Sequence, residues 1–142
     1  MKINDLEIYK DLKSYRAICQ RIERLDDEIT YLRQVNISDT VSGSESDYPF
    51  TKRTFKIKGS DRPTAERIGE LRDHRSELRR KRLEIEVFIN SISDIRTRQV
   101  FELRFYDGLS WGAVARRLGG HNSGDNARKI VANYLLKKYT HT

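Results

Sequence analysis

One cysteine, one methionine, one tryptophan and two prolines stand in a chain of 142 residues. With Cys19 alone, no intrachain disulfide can form. Its only companions for a Cys/His zinc site are His74, His121 and His141, too few and too scattered for metal-ligand spacing. No stretch approaches the roughly 18 consecutive apolar residues of a membrane span. The N-terminal residues are charged throughout and lack an apolar core, so no secretory signal is expected. A GxxxxGK[ST] phosphate loop is missing, although Gly43, Ser44, Lys52 and Gly59 are near one another. No Cys, His and carboxylate residues converge into a catalytic constellation. Most Glu and Asp lie among arginines at helical spacing, the pattern of a solvated, salt-bridging face. An enzyme, a metal and a cofactor are therefore not expected, and a reducing cytoplasm suits the cysteine usage.

What is abundant is charge. Charged residues make up 35% of the chain and apolar ones 37%, enough for one compact domain or a small domain with an accessory element. The net charge is +7, from 28 basic and 21 acidic side chains. It is unevenly placed. From Arg96 to the end there are nine basic residues against three acids, whereas the first 95 residues hold 19 against 18. Contacts with an acidic partner are to be sought in the last third.

Two long helices are expected first. Ile8, Tyr15, Ile18, Ile22, Leu25, Ile29 and Leu32 follow a 3,4 repeat over residues 5–34, interrupted only by Asp11. A second repeat over 64–91 reads Ile68, Leu71, Arg75, Leu78, Arg82, Ile85, Ile89 and Ile92. Its two arginines can lay their stems over apolar surface and keep their heads in water. The two stripes bury each other in an antiparallel helical hairpin, or pair between chains as a coiled coil. Residues 36–63 read as an extended loop. Within it, Phe55 and Ile57 alternate with Thr54, Lys56 and Lys58, leaving room for a short β-ribbon. Tyr48, Phe50 and Phe55 would pack that arm.

The last third breaks into three shorter helices. The first spans about 94–106, started by Asp94 and ended by Asp107-Gly108. The second follows Ser110 as N-cap and runs Trp111 to Leu118, with Trp111, Val114, Ala115 and Leu118 on one face. Gly119-Gly120 ends it. The third starts at Asn122 or Ser123 and runs to about Lys138, with Ala127, Ile130, Val131, Tyr134 and Leu135 turned inward. Its opposite face reads Asn122, Asn126, Lys129, Asn133 and Lys137, with no carboxylate on it. This is the pattern of a helix-turn-helix, whose second helix enters the major groove of duplex DNA. Asparagine can pair with adenine and lysine can donate to guanine. The base-facing candidates are Asn122, Ser123, Asn126, Lys129 and Asn133. The phosphate-facing candidates are Arg116, Arg117, His121, Arg128 and Lys137. A small helical core with a basic exterior is the alternative.

The stretch Arg98-Gln99-Val100-Phe101-Glu102-Leu103-Arg104-Phe105-Tyr106-Asp107-Gly108-Leu109-Ser110-Trp111, followed by Gly112 to Gly119, resembles region 4 of sigma-70-type RNA polymerase sigma factors. The resemblance extends from Ile95 to Leu136. It is closest in the first helix and the turn, while His121-Asn122-Ser123-Gly124-Asp125-Asn126 departs from the usual entry to the third helix. As a whole the chain resembles small phage and prophage proteins of Gram-positive bacteria that join an N-terminal coiled-coil hairpin to a sigma-like end. The segments that carry this are 38–44, Tyr48 to Lys52, Phe55 to Gly59, and Gly119 to Lys129. Nothing resembles sigma region 2, so the resemblance implies a DNA-binding transcriptional regulator, with contact to RNA polymerase, rather than an autonomous sigma factor.

The expected fold is thus all-α: a hairpin over 1–92 with the loop 36–63, then a DNA-binding module over 93–142. Its partners would be double-stranded DNA, RNA polymerase and a second copy paired through the hairpin, with no membrane. A different class stays open. The charge-balanced hairpin could make the chain a structural or adaptor protein of phage assembly or DNA packaging, bound to a protein partner.

Overall fold

The computed structural model describes residues 2–41 and 51–140, with side chains over 2–35 and 63–140. Among the described residues every regular element is helical and there is no strand. A single 3-10 turn, Ile3–Asp5, precedes α1 (Glu7–Val41) and α2 (Thr51–Asn90). Then come α3 (Ile95–Phe101), a π-helical turn (Glu102–Tyr106), α4 (Trp111–Leu118) and α5 (Gly124–Thr140). The helices α1 and α2 run antiparallel as a hairpin.

The connection between them is shorter than the sequence suggests. Helix continues to Val41 and resumes at Thr51, so residues 54–58 are helical and the β-ribbon is not formed. Five alternating residues are a weak strand signal, and a lone strand would leave its ladder bonds unpaired. Lys52, Arg53, Lys56 and Lys58 are straight-chain residues that favour helix. Pro63 lies inside α2 rather than at its start, where it removes one backbone donor. The arm expected around Tyr48 and Phe50, and the side chain of Phe55, lie outside the described residues.

The chain divides into two compact units. One comprises Gln20–Arg79, which takes in the C-terminal part of α1 and the N-terminal part of α2. Its core is Leu25, Ile29, Ile68 and Leu71, with Leu32 and Leu78 packed against it. These are stripe positions, buried within one chain. The seam arginine Arg75 meets Asp26, its Nη1 lying 2.7 Å from Oδ1, and Arg79 shares that carboxylate at 3.4 Å. Arg67 pairs with Glu28 at 3.1 Å. Asp26 of α1 thereby accepts the head of the seam arginine Arg75, whose side chain is largely covered.

The other unit comprises Met1–Cys19 and Arg80–Thr142. Ile18, Ile85, Ile89 and Ile92 are buried here as their spacing predicts. Leu6 and Leu12 are buried as well, and Asp11, which breaks the repeat, pairs with Lys81 at 3.2 Å. Phe101 is fully buried at the centre, its ring 5.5 Å from Tyr134, 5.7 Å from Phe105 and 6.1 Å from Phe88. Val100, Phe101, Leu103 and Phe105 are all buried, and Glu102 and Arg104 between them are half-buried. Helix α5 packs on α4, on α3 and on the N-terminal 3-10 turn.

Candidate nucleic-acid interface

The α3–α4–α5 arrangement is fixed by caps and side-chain clasps. Asp94 accepts from the backbone amide of Thr97 at 2.9 Å and from its hydroxyl at 2.7 Å. These bonds hold the Asp94 carboxyl below the usual carboxylate range. Arg104 donates to the carbonyl of Leu109 at 2.9 Å, and its guanidinium lies 4.3 Å from the Trp111 ring centroid. One side chain thus ties the π-helical turn to the start of α4. Arg16, from α1, donates to the carbonyl of Tyr106 at 3.0 Å. Ser110 caps α4, its Oγ accepting from the Ala113 amide at 3.2 Å.

The turn between α4 and α5 begins with Gly119 and Gly120, both at positive φ (78° and 66°), a conformation that costs other residues strain. Asn122 closes it. Its Nδ2 donates to the Gly119 carbonyl at 2.7 Å, and its Oδ1 accepts from Arg96 at 2.5 Å. Ser123 caps α5, with Oγ accepting from the Asn126 amide at 3.1 Å. Ala127, Val131 and Leu135 are fully buried along the inner side of α5. Asn126, Lys129, Asn133 and Lys137 are exposed, each three or four residues from the next.

Of the base-facing candidates, Asn126, Lys129 and Asn133 stand on this exposed face. Asn122 and Ser123 do not join them with free polar groups: the Asn122 amide is engaged at both ends within the turn, and the Ser123 hydroxyl caps the helix. Of the phosphate-facing candidates, Arg116 and Arg117 are exposed on the last turn of α4, His121 is exposed in the turn, and Lys137 is exposed near the end of α5. Arg128 is exposed but donates to Asp125 at 2.7 Å.

Asp125 corrects the expectation of a face without carboxylates. Four residues before Lys129, it lies 3.3 Å from that ammonium while also holding Arg128. The two cations hold its carboxyl below the usual range, the Arg128 bond first. Helical spacing alone contained this signal. Arg96, whose exposed guanidinium reaches the turn from α3, was legible from no local pattern, because its partner lies 26 residues on. Among the described residues no group of His, Cys, Asp and Glu could hold a metal ion, and no helix is long and apolar enough to cross a membrane. Compared with known proteins, the chain matches no family model, no curated protein and no solved structure.

Proposed function

We propose that the chain binds double-stranded DNA with α5 in the major groove and regulates transcription, in the manner of the sigma region 4-like proteins of phages and prophages that its last third resembles. The observation that carries this is the solvent face of α5: Asn126, Lys129, Asn133 and Lys137 in helical register, on a helix capped by Ser123 and preceded by the tight turn after α4. Two amides and two cations on one face suit base edges and phosphates. Arg116 and Arg117 close the preceding helix and would meet the DNA backbone. Contact with RNA polymerase and a bacterial cytoplasm belong to the same proposal.

The experiment is a gel shift and a binding titration with a DNA site selected from random duplexes. The triple change Asn126→Ala, Lys129→Ala and Asn133→Ala should weaken binding to the selected site at least tenfold while leaving helical content intact. Unchanged affinity removes this face from consideration. Pull-downs against RNA polymerase and against packaging proteins then separate a regulator from an assembly adaptor. Exclusive capture of packaging proteins would favour the adaptor.

A further inference from the structure

Asp125 is an anomaly on a surface meant for a polyanion. It sits in the first turn of α5, and its side chain is 58% exposed. Phosphates repel it, and no buried partner requires it. What it does touch are the two cations of the same helix, Arg128 at 2.7 Å from Oδ1 and Lys129 at 3.3 Å from Oδ2, one carboxylate oxygen for each. We infer that Asp125 is a specificity-determining residue of the α5 surface: it restrains Arg128 and Lys129 against unselective phosphate binding and releases them only where a cognate site supplies compensating contacts. This rests on the proposal that α5 is the DNA-recognition helix.

The chemistry runs as a competition for two donors. In the free protein a carboxylate occupies the guanidinium of Arg128 and the ammonium of Lys129. A phosphate of arbitrary duplex must displace it and leave a negative charge stranded beside the DNA backbone. A cognate major groove offers Asp125 an alternative, because the cytosine amino group donates to Asp or Glu. There the carboxylate gains a partner at the moment that it gives up its own cations. Unselective DNA gives it none, and the difference is discrimination gained by penalising the wrong partner.

The test is Asp125→Asn in the full chain, with Asp125→Glu as the charge-conserving control and thermal melting to verify folding. The probes are a mixed-sequence duplex of about 25 base pairs and the selected site, each titrated over a salt series. Asp125→Asn should bind the mixed duplex about 3- to 10-fold more tightly, with a salt slope steeper by about 1 to 2, and its preference for the selected site should fall. Asp125→Glu should restore the wild-type slope. In an Arg128→Ala, Lys129→Ala background, Asp125→Asn should bring no steepening. Wild-type binding with an unchanged or weakened Asp125→Asn overturns the inference alone, as does steepening that persists without the two cations. A wild-type chain that binds neither duplex overturns the DNA proposal and this inference together.

Discussion

Gly124 and Gly112 bring the first turns of α5 and α4 into backbone contact: a β-carbon on Gly124 would lie 3.0 Å from the Gly112 amide nitrogen and 3.2 Å from the Trp111 carbonyl carbon. Backbone atoms cannot swing aside as a side-chain tip can, so the two helices would have to part. Gly124→Ala should lower stability by about 1–3 kcal/mol through overpacking. Gly112→Ala is the matched control, because its β-carbon would meet only the Arg116 guanidinium at 3.6 Å, an ordinary contact. It should be neutral or stabilising by up to about 1 kcal/mol, since alanine is the better helix former. Denaturant unfolding of both variants checks the asymmetry.

Phe101 is the aromatic centre of its unit, with no exposed surface. Phe101→Ala should cost about 3–5 kcal/mol, the transfer of the ring plus the cavity left among Phe88, Phe105 and Tyr134. The melting temperature measured by circular dichroism should fall accordingly. An equal-sized effect from Ile95→Ala would contradict this, as that side chain is 73% exposed.

Alkaline pH should destabilise the fold. Burial, then the nearby charges of Glu86 and Glu102, push the Tyr106 hydroxyl up to about 12 from its ordinary 10.0. Burial and the 2.6 Å bond to Glu86 raise Tyr15 in the same direction. Below pH 10.0 both phenols are protonated in the folded and unfolded chains, and their stabilising contacts are fully present. Above it the unfolded chain loses its protons first, so stability falls as pH rises toward about 12. Tyr106→Phe should make that fall shallower in melts followed from pH 8 upward, where 10.0 marks the onset.

Arg117 and Lys129 should separate positioning from recognition. Arg117→Ala is expected to weaken binding to all duplexes alike and to reduce the salt slope by about 0.9. Lys129→Ala should also relax preference at one position of the selected site, at about 1–3 kcal/mol. Titrations against single-base variants of that site distinguish the two patterns.

We propose a second copy paired through the hairpin, whose stripe residues Leu25, Ile29, Ile85 and Ile89 are buried within one chain. Leu83 and Val87 are instead 58% and 59% exposed, four residues apart on α2. If they pair two chains, Leu83→Glu with Val87→Glu should shift a dimer to monomer mass in light scattering and leave melting unchanged. A monomeric wild type at roughly 100-fold above the DNA-binding midpoint leaves only pairing on the DNA itself.

Helices and their inward faces were legible because burial imposes a period on side chains: Ile18, Ile22, Leu25 and Ile29, then Val114, Ala127 and Val131, all lie where spacing put them. Caps were legible for the same local reason at Asp94, Ser110 and Ser123. The stretch at 54–58 was misread, because period-2 alternation over five residues does not outweigh helix continuation from its neighbours. Leu12 was hidden by taking Asp11 as the stripe position, one residue off. Asn122 shows the limit for a site. A polar side chain on the outward edge of a helix start looks free until its partners are known, and those are Gly119 nearby and Arg96 on another helix.

The π-helical turn gives the length of the chain slack at one place. Its closing bond runs from the Asp107 amide to the Glu102 carbonyl, 3.1 Å, enclosing one residue more than an α-turn would. That wide turn absorbs one residue more than the α-turn it replaces. Deleting a single residue within Glu102–Tyr106 would let the segment close as plain α-helix, so the loss would be taken up where it is made. The same deletion at the start of α5, where no wide turn holds a spare residue, would turn Ala127, Val131 and Leu135 off the buried side by about 100°.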